Sequence, residues 1–205
     1  MKIKSIPELN YNQNLSSKSE WWRYFGEYQY IVDLIFKSIS GGEITVISLP
    51  LAFLIRHTLE LGYKMNLIEL EKVSDVKAKI EYKGKSAHRI DSLHYEFEIQ
   101  MNAIFEKYSV PKEIKKQFNK YNLKLSDLKS LIHKLDALSY AFRYPVKNNG
   151  ITPNFEIKHI EDVSTRINFK EIKELYDDSI VIIKFSTNVV GELIDESEKT
   201  YKINT

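Results

Sequence analysis

The chain contains no cysteine among its 205 residues, so a thiol nucleophile, a disulfide frame and any zinc site with sulfur ligands are excluded. It has little proline and little glycine, five and seven residues, which leaves few positions able to break a helix. No sign of charge dominates either. Thirty Lys and Arg stand against 28 Asp and Glu, and a net charge of +2 produces no global field toward nucleic acid or an anionic membrane, although local basic patches remain open. The longest apolar run, around Leu49 to Ile55, is far too short to span a bilayer, and the opening Met1-Lys-Ile-Lys-Ser lacks the apolar core of a signal peptide. These absences lead us to expect a cytoplasmic chain with no membrane partner. With 43% hydrophobic and 28% charged residues it has the composition of a globular protein, and its length suits one domain.

Catalytic templates are missing as well. Gly84-Lys85-Ser86 lacks the upstream glycine of a phosphate-binding loop, and neither His-Glu-x-x-His nor Gly-x-Ser-x-Gly occurs. The five histidines, at 57, 88, 94, 133 and 159, have no repeated metal-ligand spacing. No metal and no cofactor is expected.

What is present is helical periodicity. Residues 1–18 read as a loosely held arm, after which Ser17-Lys-Ser-Glu20 offers a capping box. Trp21, Phe25, Tyr28, Val32, Ile35 and Ile39 then predict a helix from about Ser19 to Ser38, ended by Gly41-Gly42. A second helix has Ser48 as its cap and Pro50 in its first turn, and fades near Glu71-Lys72. Val76, Ala78, Ile80 and Tyr82 alternate with charged residues, the period of a short strand. A third helix opens near Ser86 with Ile90, Leu93, Phe97, Met101, Ile104 and Tyr108 facing inward. Pro111 opens a Lys-rich fourth helix to about Tyr121, and Ser126 caps a fifth that runs into Phe142. Lys147-Asn-Asn-Gly150 is a turn signal, so 142–146 and 151–157 could pair as a hairpin. Asn168 caps the last helix, and a polar tail begins at Asp195. The expectation is one mainly α domain over 1–205, with a short β-hairpin or strand pair.

Two groupings could carry chemistry. In Leu49 to Leu67 nearly every residue is apolar except Arg56, His57, Glu60 and Lys64, which helical spacing gathers into one polar stripe. A helix apolar almost all round is a buried one, so these charges need partners on neighbouring helices. They form either a satisfied core network or the floor of a site. The second grouping is Arg89-Ile-Asp-Ser-Leu-His94. A metal-independent ribonuclease can work with such a pair, His exchanging protons at the 2′-hydroxyl or leaving group and Arg stabilising phosphate charge. His94 also adjoins the apolar row Ile90–Leu93–Phe97, where a packed structural imidazole is the simpler reading.

Arg56-His57-x-x-Glu60-Leu61-x-x-Lys64 resembles the second-helix signature of HEPN-like domains, small α-helical bundles of toxin–antitoxin, abortive-infection and other RNA-targeting defence systems. His88-x-Ile90-x-x-Leu93 resembles the motif opening their next helix. Asp136-x-x-Ser139-x-Ala141-Phe142-Arg143-Tyr144-Pro145, followed by Gly150, is similar to a segment of many uncharacterised bacterial proteins of this sort. The resemblance spans residues 20 to 193. It implies a HEPN-like bundle of five to six helices, a homodimer, RNA or a protein as partner, and a place in bacterial stress or phage defence. It adds Arg143 to the binding or buried polar group. Active members are expected to carry Arg and, four to six residues on, His on a later helix. Here that position holds Arg143-Tyr144-Pro145 with no His in range, His159 being too distant. The expected function is therefore a binding or scaffolding module without an intact RNase motif. The alternatives are an endoribonuclease using Arg89 and His94, and an interaction subunit whose partner carries the chemistry.

Overall fold

The computed structural model describes residues 20–39, 44–84, 86–147, 149–155 and 168–203. Among the described residues five α-helices follow one another: α1 Trp21–Ser38, α2 Ile44–Ser74, α3 Ile90–Lys107, α4 Lys112–Leu135 and α5 Phe169–Ile203, with a 3₁₀ turn at Ser86–His88 before α3. They pack as an all-α bundle around α2, which touches each of the other four. The reason lies in its sequence. Every residue from Thr58 to Leu67 is buried, more than two full turns, so no face of that stretch is left for water. The expected arm 1–18, the capping box at Ser17, the Gly41-Gly42 stop and His159 lie outside the described residues.

α2 begins at Ile44, earlier than expected, so Ser48 is not its cap and Pro50 lies inside it. The carbonyl freed by the proline belongs to Val46, which is 82% exposed, where water can replace the lost bond. At the other side of the bundle α2 and α5 nearly touch. A methyl group on Gly62 would sit 2.5 Å from Ile183 Cγ2, and Asn66 Nδ2 donates to Ile183 O at 2.8 Å while its Oδ1 accepts from Ser186. Asn168 caps α5 as expected, accepting from Glu171 N at 3.3 Å.

Three expectations are corrected. The fourth and fifth helices are one continuous α4, because residues 122–126 hold no Gly or Pro and Leu125 is buried on the same face as Leu128 and Ile132. Asn122, a residue that favours turns, is instead held by its side chain, donating to Glu98 Oε1 at 2.7 Å. This helix stops at Leu135 instead of running into Phe142. Residues 76–83 form no strand. Their backbone is satisfied by helix side chains: Ala78 N donates to Glu71 Oε2 at 2.9 Å, Lys79 N to Glu96 Oε2 at 3.3 Å, and Val76 O accepts from Gln100 Nε2 at 2.6 Å. Alternation needs a neighbouring strand to become a strand; among the described residues there is none. Among the described residues the expected hairpin shrinks to a single bridge, Val146 to Pro153, beside the turn that Gly150 makes at φ +71, and 156–157 lie outside them. Pro153 brings no N–H to extend it.

Candidate functional site

Arg56 organises the centre of the molecule. It is fully buried on α2 and reaches out in several directions. Nε donates to Asp136 O at 2.9 Å, Nη1 to Glu60 Oε2 at 3.2 Å, and Nη2 to the carbonyls of His88 and, at 3.5 Å, Ala137. The planar fork thus ties α2 to the turn before α3 and to the loop after α4. Burial lowers the Arg56 pKa, and the Asp136 and Glu60 carboxylates oppose that shift.

Glu60, 2% exposed, is the hub of the acidic side. Its Oε1 accepts from Lys64 Nζ and from His88 Nδ1, both at 2.9 Å, while Oε2 faces Arg56. Burial alone would raise the carboxyl pKa, yet the bonds from Lys64 and His88 outweigh it and the net shift is downward. An ionised carboxylate only accepts, so His88 Nδ1 carries a proton and donates it to Glu60. The His88 side chain is 45% exposed. Such an imidazole, fixed by a buried carboxylate, can position a proton at the surface. His88 and Asp136 both stand in the motifs quoted above, but nothing in the spacing of the chain assigns them these contacts.

Asp136 begins the loop by gathering its backbone. Oδ1 accepts from Tyr140 N at 2.7 Å and Ala141 N at 3.0 Å, and Oδ2 from Phe142 N at 3.4 Å. Ser139, at φ +59, turns the chain within that cradle. The loop delivers Arg143 to the surface, where Nε donates to Ser139 O at 2.7 Å. The Arg143 guanidinium carbon lies 5.8 Å from the Phe53 ring centre and 5.2 Å from that of Tyr144. Phe53 is stacked on His57 at 5.6 Å, Tyr28 meets His57 edge-on at 4.6 Å, and Tyr140 is 4.6 Å from Tyr144. Tyr28, His57, Phe53, Arg143, Tyr144 and Tyr140 therefore make a continuous stack from α1 across α2 to the loop. Its outer members Arg143 and Tyr144 are exposed and the other four half-buried. Of the expected polar stripe, Arg56, Glu60 and Lys64 share the buried network, and the rings of the stack surround His57. Burial lowers the His57 pKa.

Arg89 and His94 are not brought together. Arg89 is exposed and paired with Asp91, its Nη2 2.6 Å from Oδ2. His94 is 3% exposed on α3, its Nδ1 2.9 Å from Tyr63 Oη and its ring edge-on to Tyr63, which packs in turn against Phe97. Nε2 lies 3.4 Å from Glu98 Oε1 without hydrogen-bond geometry.

Burial pushes the His94 pKa from 6.5 down to about 4, which predicts a pH dependence. The unfolded chain binds this proton more readily, so the stabilising contribution is complete above 6.5 and is lost as pH falls toward 4. About 2 kcal/mol should be gone by about pH 5. Urea titrations near neutrality and near pH 5 should show this loss in the wild type and a much smaller one in His94→Gln. Equal losses in both would place the acid sensitivity elsewhere.

Among the described residues no three His, Asp or Glu side chains gather as a metal site, and no helix is long and apolar enough to cross a membrane. No protein-family model, no curated protein and no solved structure matches this chain.

Proposed function

We propose that this chain is a HEPN-like helical binding module that takes single-stranded RNA on the aromatic face around Arg143 and does not cut it. The observation that carries the reading is the stack from Tyr28 to Tyr140, with an exposed guanidinium between two of its rings. Single-stranded RNA is held by rings on which unpaired bases lie and by cations on its phosphates. Arg143 commits its Nε to Ser139, and its terminal nitrogens keep the geometry that fits a phosphate. The buried Arg56–Glu60–Asp136 network belongs to the same reading as the frame that fixes the loop. The separation of Arg89 from His94, one on the surface with Asp91 and the other buried with Tyr63, supports binding over cleavage.

Fluorescence anisotropy with a 5′-labelled oligouridylate tests this reading. Replacing both Arg143 and Tyr144 by Ala should weaken binding about tenfold or more, since one stacked base contributes about 1–3 kcal/mol. Both side chains are exposed, so the melting temperature should barely move. An unchanged affinity would remove the stack from the site. Cleavage of the oligonucleotide in chelator, lost in His94→Gln, would replace the binding reading with the nuclease one.

A further inference from the structure

Between α1 and α5 lies a cleft of about 590 Å³ that neither the buried network nor the aromatic stack uses, with the buried side chains of Phe25 and Met65 in its wall. Trp22 and Tyr30 also line it, four residues before and after Gly26, and they are 64% and 65% exposed. At 100° per residue Gly26 lies midway between them round the helix as well as along it. Neither packing nor a turn requires glycine there. It sits inside α1, and a Cβ on it would meet nothing within 4 Å. Glycine is the poorest helix former after proline, so the helix is weakened at the one position where a side chain would stand in the cleft between the two rings. Half-buried Asp33 lies on the same flank of α1. Its Oδ2 accepts from Gln29 Nε2 at 2.9 Å, and Oδ1 has no donor among the described residues. Lys184 lines the cleft from α5. Asp33 and Lys184 form no ion pair, with each other or with any described residue. Trp22, Gly26 and Asp33 are turned about 120–160° round α1 from Tyr28, so this cleft is separate from the Arg143 stack.

We infer that this cleft binds a small zwitterion in which a quaternary ammonium is joined to a phosphate or a carboxylate. The ammonium fits between Trp22 and Tyr30, over the gap that Gly26 leaves, because the faces of aromatic rings attract a cation and Asp33 supplies the opposite charge. A methylated ammonium has no N–H. It therefore needs none of the acceptors that a primary ammonium would lack against rings and a thioether. The anionic end meets Lys184. Opposite charges held apart on two helices match a ligand that carries both, whereas a lone cation would face Lys184 and a lone anion would face Asp33. The site stands independently of the RNA reading, whose rings occupy the other flank of α1.

Isothermal titration calorimetry of the full chain with phosphocholine and with glycine betaine tests the site. At least one of the two should bind the wild type saturably; binding of neither overturns the inference. Gly26→Leu fills the gap, so it should weaken that binding about tenfold or more while the melting temperature stays level or rises. An unchanged affinity in this variant overturns the site. Trp22→Ala should also weaken binding about tenfold. Lys184→Gln should weaken the zwitterion about threefold or more and leave choline as it was. Choline bound as tightly as the zwitterion, with Lys184→Gln changing neither, overturns the zwitterion and assigns the cleft to a simple cation. Phosphatidylcholine vesicles separate the two sources of this chemistry. Co-sedimentation that is lost in Gly26→Leu assigns a lipid headgroup, and its absence beside binding of the soluble probe assigns a free solute; both results sustain the site. Oligouridylate affinity should be the same in Gly26→Leu as in the wild type, so this inference and the RNA reading fail or stand separately.

Discussion

Arg56→Leu should abolish soluble expression or lower the melting temperature by roughly 10–20 °C. Removing one partner of a buried charge pair costs about 3–5 kcal/mol, and each buried carbonyl left without a donor costs about 1–3 kcal/mol more. Arg56 serves Glu60 and the carbonyls of His88, Asp136 and Ala137, so several of these penalties fall together. The sum is comparable to the whole stability of a typical domain, about 5–15 kcal/mol. At this chain length each kcal/mol moves the melting point by about 2–4 °C. Leucine fills much of the volume but supplies no donor. Arg56→Lys keeps the charge and loses the fork, so it should fold and melt measurably below the wild type. Thermal denaturation followed by circular dichroism reads both variants. A fall of less than about 1 kcal/mol for Arg56→Leu would mean that the two loops are held by something other than this side chain.

Glu60→Ala should cost about 3–5 kcal/mol for a related but distinct reason. It leaves Lys64, 5% exposed, without its carboxylate, and it frees the ring of His88. Arg56 keeps Asp136, its Nε 3.9 Å from Oδ2, so the loop after α4 should survive better than in Arg56→Leu. Glu60→Gln restores volume and hydrogen bonding but not charge, and should recover part of the loss. Melting temperatures rank the three proteins. Nitrogen-15 NMR of the imidazoles then asks whether His88 has lost its Nδ1–H preference, which a purely steric defect would leave alone. A change of only a few tenths of a kcal/mol for Glu60→Ala would be the behaviour of a solvated pair.

The helices were legible where apolar spacing was strong, as at α1, and where a cap agreed with it, as at Asn168, whose side chain does receive Glu171 N. Legibility failed where a local signal depended on distant groups. The alternation of Val76 to Tyr82 is real, but Glu71, Glu96 and Gln100 take the backbone groups a neighbouring strand would have taken. Ser126 reads as a cap, yet the burial of Leu125 and the bond from Asn122 to Glu98 carry the helix through it. For the polar stripe, spacing by four correctly joined Glu60 to Arg56 and Lys64. It could not reveal His88, Asp136 or Ala137, which lie 28 to 81 positions from their partners. His57 follows Arg56 directly, and the 100° step between neighbours turns its ring toward Phe53 and Tyr28.

The near contact of α2 and α5 has a consequence in time. Asn66 and Ile183 are 117 residues apart, so the face of α2 around Gly62 cannot be covered until α5 has left the ribosome. At about 5–20 residues per second that interval is on the order of ten seconds. During it a helix apolar on nearly every side stands without its last neighbour. The nascent chain is therefore a substrate for holding chaperones over that window, and synthesis that stalls before α5 yields a product prone to aggregate.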